Sequence, residues 1–457
     1  MIRSWGPTVV DVFVALELDP QSSCAKIDLC PPVNGSATPV YPKPKLTPSG
    51  PFPNPATGTI FHVSDIHYDH FYTTGTNTDC GMPVCCHPTY GNGPAGTFGD
   101  YNCDTPKILV QDMLNQMKNA NPDYLIYTGD TPAHDLWLQT HKSNVDTILN
   151  VTQWVLERLP AKTKYFPALG NHAAAPVDNF GGPLRDFWLY GPVGDLWSKF
   201  LPTDAVVSFK FGGYYTAVME PGLRVIALQT NYYDNNNLWL KSLQQPDIAG
   251  QLTWLGDVLS QIKALGEKAI IIAHEKPASF AKGPWQQMYL SLINQYKDII
   301  VTHFMGHNHN DLFQVLHDPS SNGSVPISVV FIPSSLTPVG NTSNPSYRIY
   351  SYDQLSKEVL DFVQYRVDLV LANQNGYLDW YQAYTAKKDW KISDMSPKSW
   401  QSVGERIGAN VQDWNFFKTQ YHGGVKYFPP EQLDKNQKVA MCTVLGDSDE
   451  TYATCMK

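Results

Sequence analysis

Short apolar runs alternate with longer segments of helical periodicity from residue 59 onward. Runs of this length are typical of buried strands, and the amphipathic segments between them are long enough for helices. The predicted strands are 60–63, 123–128, 164–169, 268–273 and the apolar run that begins at 299. The predicted helices are 106–119, 140–159, 249–265 and 285–296. Strands that alternate with helices predict an α/β fold.

The remaining pattern predicts more strands and three flanking regions. Residues 206–220 and 224–229 are predicted as strands, the first turning at Gly212-Gly213, and 327–332 and 347–352 as strands of a second sheet. The chain becomes helical and aromatic after residue 367. Nine prolines between residues 31 and 58 predict an extended, semi-rigid linker. We therefore predict a leading segment (1–30), a linker (31–57), a main domain (58–366) and a C-terminal helical subdomain (367–457).

The predicted strands end just before residues that can bind metal ions. His307 and His309 lie two positions apart after the strand that begins at 299, so an extended backbone would aim both imidazoles at one place. In sheets built from strand–helix units, ligands gather beyond the carboxyl ends of the strands. The seven candidate ligands are Asp65, His67, Asp130, Asn171, His274, His307 and His309. One tetrahedral ion needs only about three or four protein ligands, so the set predicts a pair of divalent ions.

Each candidate ligand also has a simpler interpretation when it is taken alone. Asp65 fits a turn, Asp130 could cap the helix that follows it, and Asn171 suits a left-handed turn. His274 could be an ordinary histidine at a strand end. The order D-x-H, GD, GNH, H and GHxH at these separations is far more specific than any one of its parts.

Charge and cysteine content indicate which partners the chain does not bind and in which compartment it works. The net charge of −9 argues against a nucleic-acid binder that works through phosphate contacts, and the chain has no apolar run long enough to cross a bilayer. Eight cysteines in three groups and four glycosylation sequons favour a secretory, oxidising compartment. The sequons begin at Asn34, Asn150, Asn322 and Asn341. Residues 9–18 lack the features of a signal peptide, so we expect the true N-terminus to be missing.

The ordered motifs resemble those of calcineurin-like metallophosphoesterases, and the finer resemblance is to acid sphingomyelinase and its phosphodiesterase relatives. The blocks SDIHYD, GDTPAHD, GNHAAAPVDNF and FMGHNHNDLF carry it, and it extends from about residue 58 to the C-terminus. It implies a two-sheet β-sandwich flanked by helices. Two departures stand out: Ala173 occupies a position that is usually acidic, and AHEKP replaces the GHxPPG block. Residues 1–30 resemble only the end of a saposin-like domain.

The resemblance also implies a role for each candidate residue. One zinc ion would be held by Asp65, His67, Asp130 and His309, and the other by Asp130, Asn171, His274 and His307. His134 and His172 would contact phosphate and protonate the leaving group. The alternatives are a surface histidine for His134 and a residue that orients Asn171 for His172. We interpret the remaining histidines as structural or exposed.

The function implied is a zinc phosphodiesterase that cleaves sphingomyelin to ceramide and phosphocholine through a metal-activated hydroxide. It would be secreted or lysosomal, and would act as a monomer at a membrane or micelle surface. One alternative is a phosphodiesterase for nucleotides or other soluble diesters, and another is a catalytically silent lipid-binding relative. We predict disulfides Cys80–Cys85, Cys86–Cys103 and Cys442–Cys455. Cys24 and Cys30 could pair with each other or remain free.

Overall fold

Two six-stranded sheets form the centre of the computed structural model, which describes residues 41–51, 56–243, 247–280, 283–341, 343–425 and 435–457. The strands are β1 Thr57–Val63, β2 Tyr124–Tyr127, β3 Lys164–Pro167, β4 Tyr215–Glu220, β5 Leu223–Ala227, β6 Lys268–Ile272, β7 Ile300–Phe304, β8 Leu312–His317, β9 Pro326–Ile332, β10 Ser346–Asp353, β11 Val359–Val367 and β12 Trp380–Thr385. The first sheet has the order β12-β11-β10-β1-β2-β3, and the second has the order β4-β5-β6-β7-β9-β8.

Helices surround the two sheets. Within the described residues they are α1 Lys107–Ala120, α2 His141–Arg158, α3 Phe187–Trp197, α4 Thr203–Gly212, α5 Leu238–Leu243, α6 Gln251–Ala264, α7 Pro284–Gln295, α8 Leu369–Asn375, α9 Ala386–Asp389, α10 Pro397–Ala409, α11 Val411–Tyr421, α12 Gln437–Leu445 and α13 Asp449–Met456. None of them is long and apolar enough to span a membrane.

The sheets pack face to face through aromatic side chains. Phe304 of β7 lies 4.6 Å from Tyr350 of β10, measured between ring centroids, and Phe331 of β9 lies 5.8 Å from Phe362 of β11. Side chains alternate across a strand, so the opposite face of β1 and β2 contacts α1 and α2 in a second apolar cluster. The arrangement is a β-sandwich flanked by helices, as the sequence predicts.

The strands that precede the candidate ligands run parallel to one another within each sheet. β1, β2 and β3 are parallel neighbours in the first sheet, and β5, β6 and β7 are parallel neighbours in the second. Parallel neighbours have their carboxyl ends at one edge of the sheet. This packing therefore brings the loops after β1, β2, β3, β6 and β7 together.

The predicted strand over 206–220 is wrong in its first half. Residues 203–212 form helix α4, which begins after Pro202 and ends at Gly213, whose φ of 74° is left-handed. Proline is favoured at a helix start and glycine just past its end. Val206 and Phe209, three residues apart, are buried on one face, so tertiary packing determines the state of this ambiguous apolar run.

Two predictions about the sheets differ from the structure, and a third prediction lies outside the described residues. The strands predicted at 327–332 and 347–352 do not share a second sheet, because β9 lies in the second sheet and β10 pairs with β1 in the first. Strand β12 lies in a region predicted as helical and extends the first sheet beside β11. The predicted saposin-like segment, with Cys24 and Cys30, lies outside the described residues, as do residues 31–40 and 52–55 of the predicted linker.

The three disulfides predicted for the rest of the chain are confirmed. Cys80 bonds to Cys85, Cys86 to Cys103, and Cys442 to Cys455. The first two lie in the long connection between β1 and α1, directly after the first candidate motif. They constrain a segment that would otherwise have little regular structure.

Candidate metal centre and active site

The candidate ligands occupy tight loops at the carboxyl ends of the parallel strands. Five of the seven have a left-handed backbone conformation, namely Asp65, His67, Asp130, His307 and His309. Residues other than glycine rarely adopt positive φ values, and such residues cluster at functional sites because the surrounding fold must hold them there. Backbone bonds supply part of that support, since Asp65 and His67 donate their N–H groups to the carbonyls of Gly129 and Asp130, both at 3.0 Å.

Two glycines allow these loops to approach one another. A Cβ atom on Gly170 would collide with the carboxylate of Asp130, and one on Gly306 would collide with Ser64. The glycines of the GNH and GHxH motifs are therefore needed for close backbone approach.

The structure brings all seven predicted ligands together around Asp130. The Oδ2 atom of Asp130 lies 3.4 Å from Nε2 of His67 and 3.1 Å from Nε2 of His274. Ligand atoms of Asp130, His274 and His307 lie within 4.8 Å of one another, and Asp130 belongs to a second such group with His67 and His172. One carboxylate thus lies between two sets of ligand atoms.

The remaining ligands complete both sides of Asp130. The Nε2 atoms of His67 and His309 are 3.1 Å apart, and Nε2 of His309 is 3.6 Å from Oδ1 of Asp65. On the other side, Oδ1 of Asn171 lies 2.8 Å from Nε2 of His274 and 3.0 Å from Nδ1 of His307.

The orientation of the imidazoles fits metal binding. Nδ1 of His67 lies 2.8 Å from the Pro132 carbonyl, and Nδ1 of His274 lies 2.7 Å from the Thr128 carbonyl. A carbonyl only accepts hydrogen bonds, so each Nδ1 carries a proton and each Nε2 points toward the cluster. Burial lowers the pKa of His67 well below its usual value and that of His307 to about 3. Burial acts in the same direction on His274, but the Asp130 carboxylate outweighs it and raises the pKa of His274 to about 9. A cation that binds there would take the place of the Nε2 proton of His274.

Two buried carboxylates add negative charge to the cluster. Burial raises the pKa of Asp65 to about 6. Burial acts in the same direction on Asp130, but the neighbouring His274 and His172 outweigh it and hold the pKa of Asp130 well below its usual value. A buried carboxylate surrounded by imidazole and amide groups is a donor set that suits a divalent cation.

His134 and His172 lie beside the cluster. The ring of His134 stacks on that of His67 with centroids 3.9 Å apart, and it lies 4.4 Å from the ring of His172. The side chain of His134 is 24% exposed, so it can meet a substrate. The backbone N–H of His172 donates to Oδ1 of Asp130 at 2.9 Å. Burial lowers the pKa of the His172 imidazole to about 4. This position suits either a phosphate contact or support of the neighbouring Asn171.

Asp104 is a site residue that sequence reasoning missed. Its Oδ1 lies 2.9 Å from Nδ1 of His134, and its Oδ2 accepts the N–H of His134 at 2.6 Å. Thr337 donates to the same carboxylate at 3.0 Å. Burial lowers the pKa of His134, but the Asp104 carboxylate outweighs burial and the net shift is upward. Nothing in the sequence pairs residues 104 and 134, although the adjacent Cys103 marks the loop as constrained.

A further buried group involves His87, one of the histidines that the sequence indicates to be structural or exposed. Nε2 of His87 lies 2.8 Å from Oδ2 of Asp69, and ligand atoms of these two residues and Asp135 lie within 4.8 Å of one another. Burial lowers the pKa of His87, but its hydrogen bond to Asp69 outweighs burial and raises it. The group joins the disulfide-bonded loop to the segments that carry His67 and His134, so its role is structural.

Comparisons with known proteins agree with this geometry. The family model described as calcineurin-like phosphoesterase matches residues 58–311, and that described as acid sphingomyelin phosphodiesterase C-terminal region matches 325–457. Sphingomyelin phosphodiesterase B of Dictyostelium discoideum is 33% identical over 88% of this chain. Sphingomyelin phosphodiesterase of Bos taurus is 31% identical over the whole chain and 75% of its own length. Cyclic GMP-AMP phosphodiesterase SMPDL3A of Rattus norvegicus is 31% identical over 88% of this chain.

The relatives differ in how much of their own length is matched. The chain spans 66% of the Dictyostelium protein but 92% of the rat protein.

Proposed function

Because the chain belongs to the acid sphingomyelinase family of calcineurin-like metallophosphoesterases, we propose that it is a zinc-dependent phosphodiesterase that hydrolyses sphingomyelin to ceramide and phosphocholine. The observation that carries the proposal is the position of Asp130 between two sets of ligand atoms. A shared carboxylate is what a pair of divalent ions about 3.5–4 Å apart requires.

The two ions are assigned to the two sides of Asp130. The first would be held by Asp65, His67, Asp130 and His309, and the second by Asp130, Asn171, His274 and His307. Four histidines among seven ligands favour zinc over magnesium or calcium, which prefer oxygen ligands. When bound, the ions activate a water molecule for attack on phosphorus and offset charge on the phosphoryl oxygens.

His134 would donate the proton that the departing ceramide oxygen needs. The carboxylate of Asp104 holds Nδ1–H of His134, which leaves Nε2 as the nitrogen for the leaving group. The same carboxylate favours the protonated imidazole, the form that acts as an acid. His172, whose ring lies 4.4 Å from that of His134 and 4.7 Å from that of His67, would contact the phosphate or support Asn171.

We assign the chain to a secreted or lysosomal compartment, where it would act as a monomeric glycoprotein on lipid presented by a membrane or micelle. Three disulfides support an oxidising environment. The sphingomyelin-cleaving relatives support a phospholipid substrate.

A soluble phosphodiester is the second candidate substrate. The supporting observation is that the rat cyclic GMP-AMP phosphodiesterase is 31% identical over 88% of this chain, which is similar to the 33% identity over 88% of the chain for the Dictyostelium sphingomyelin phosphodiesterase. A catalytically silent relative is a weaker alternative, since all seven candidate ligands and both candidate catalytic histidines converge.

One side-by-side assay tests the proposal. Rates on micellar sphingomyelin, ATP and cyclic GMP-AMP would be measured at saturating zinc and mildly acidic pH, with Asp130→Asn as the control for contaminating activity. We expect sphingomyelin to be the best substrate and the variant to be inactive. A preference for either nucleotide would move the chain to the second candidate, and no hydrolysis of any of the three would favour the silent relative.

A further inference from the structure

We propose that Asp178 is a positioning residue that fixes the side-chain amide of Asn171, so that its carbonyl oxygen faces the second metal position. This role rests on the metal assignment of the proposed function.

The contacts of Asn171 define the two directions of its amide. Nδ2 donates to Oδ1 of Asp178 at 2.8 Å, while Oδ1 faces His274 and His307 at 2.8 and 3.0 Å. The two ends of an amide are nearly equal in size, so shape alone does not choose between them. Oδ1 of Asp178 accepts the amide N–H, so Asp178 favours the orientation in which the amide nitrogen points away from the metal position.

Asp178 is itself held in place by the loop that contains Asn171. Its N–H donates to the backbone carbonyl of Asn171 at 3.2 Å, and its φ of 67° turns the chain back on itself. Nδ2 of Asn144 donates to the carbonyls of His172 at 3.0 Å and Ala174 at 3.1 Å. The loop is therefore tied at both ends, and the carboxylate has a fixed position beside the amide.

The surroundings of Asp178 exclude a salt bridge as the reason for its burial. None of the ion pairs among the described residues involves Asp178. Burial raises the pKa of Asp178 to about 7, the neighbouring carboxyls of Asp234 and Asp130 act in the same direction, and the hydrogen bond from Asn171 opposes them. A carboxylate is costly to bury without a cation. Its hydrogen bond to Asn171 links it directly to the metal cluster.

The adjacent motif shows why this support has to come from a distance. The residue after Asn171-His172 is Ala173, a buried methyl group that offers no side-chain acceptor. Asp178, seven residues after Asn171, supplies the acceptor. Without the Asp178 carboxylate the amide of Asn171 could rotate and turn its NH₂ group toward the ion. An amide NH₂ group does not bind a cation. Loss of a group that orients a metal ligand typically lowers metal affinity by roughly 10–100-fold.

Zinc binding measured on apoprotein tests this role without reliance on turnover. The full-length wild type, Asp178→Ala and Asp178→Asn would be stripped with a chelator and titrated with zinc against a chromophoric competitor. Circular dichroism on each apoprotein would confirm folding. We expect Asp178→Ala to bind one of the two zinc ions about 10–100-fold less tightly. Asp178→Asn should bind that ion more tightly than Asp178→Ala but no more tightly than wild type, because its carbonyl can accept the same bond although its own amide can also rotate.

Two further variants separate positioning from general stability. Asp234→Asn alters the neighbouring buried carboxyl, which does not donate to or accept from Asn171, and should leave both affinities unchanged. Asn171→Asp/Asp178→Ala carries a ligand whose two oxygens are equivalent, so it needs no orientation and should bind zinc at least about tenfold more tightly than Asp178→Ala.

The outcomes are distinguishable. A wild type that binds fewer than two ions overturns the proposed metal assignment and this role with it. Two ions in wild type with unchanged affinity in folded Asp178→Ala overturn this role alone. The same conclusion follows if Asp178→Asn is as weak as Asp178→Ala, or if the Asn171→Asp background gives no recovery. Should Asp178→Ala fail to fold, Asp178→Ser, which is too short to reach the amide, takes its place with the same expected result.

Discussion

The two sheets contribute chemically different halves to the candidate metal centre. The first sheet supplies oxygen ligands from Asp65, Asp130 and Asn171, together with the imidazole of His67. The second sheet supplies three imidazoles from the loops after β6 and β7. Negative charge and the shared ligand therefore come from one sheet, and neutral nitrogen ligands come mainly from the other. The site is complete only when the two sheets are packed together.

The two halves are also supported in different ways. On the first sheet, a disulfide and the hydrogen-bonded pair of Asp104 and His134 constrain the surrounding loops. On the second sheet, Lys276 bridges the two ligand-bearing loops by donating to Oδ1 of Asn308 at 3.1 Å. The halves meet where the N–H of His307 donates to the Asp65 carboxylate at 3.0 Å. Loss of Asp130, the shared ligand of the first half, should therefore affect both ions, and loss of a ligand from the second half should affect one.

The largest effect should come from Asp130→Asn. We expect activity to fall by roughly 10³-fold or more and both zinc ions to be weakened, because the amide removes the negative charge that both ions share. His309→Ala, from the second sheet, is the matched control and should lose one ion. Metal analysis beside rate measurements decides the comparison, and equal effects of the two changes would contradict the asymmetry.

A smaller effect, confined to turnover, is expected beside the first sheet. His134→Ala should lower turnover by roughly 10²–10⁴-fold and leave two ions bound, because it is assigned to the leaving group. Asp104→Asn keeps the shape of the side chain that holds His134 but removes its charge, and should cost about 10–100-fold with metal content unchanged. If either variant empties a metal position, His134 is a ligand and the assignment is wrong.

The smallest effect on chemistry should follow from removal of Cys86–Cys103. A closed loop of 17 residues is worth about 3 kcal/mol by the chain-entropy estimate, so the double serine variant should unfold at lower temperature. It should also release zinc more readily, since the loop adjoins the first-sheet ligands. Removal of Cys442–Cys455, with a similar span of 13 residues, should lower thermal stability without faster zinc release. Equal zinc release from both variants would show that the disulfide supports the fold in general.

The sequence predicts best where apolar runs stop at metal-capable motifs. Strands β1, β2, β3, β6 and β7 were all predicted, and the structure places the residues that follow them in one cluster. Prediction failed at α4, where the run around Val206 and Phe209 suits a strand or a helix and packing decides. It also missed Asp104 and Asp178, because their importance depends on hydrogen bonds that form only after the loops have folded together.

The pair of ions shared by Asp130 is the central claim, and anomalous X-ray diffraction at the zinc absorption edge tests it most directly. Crystals of active protein should give two anomalous peaks about 3.5–4 Å apart, one on each side of the Asp130 carboxylate. A single peak, or two peaks of which only one contacts Asp130, in fully active protein would contradict the two-metal account.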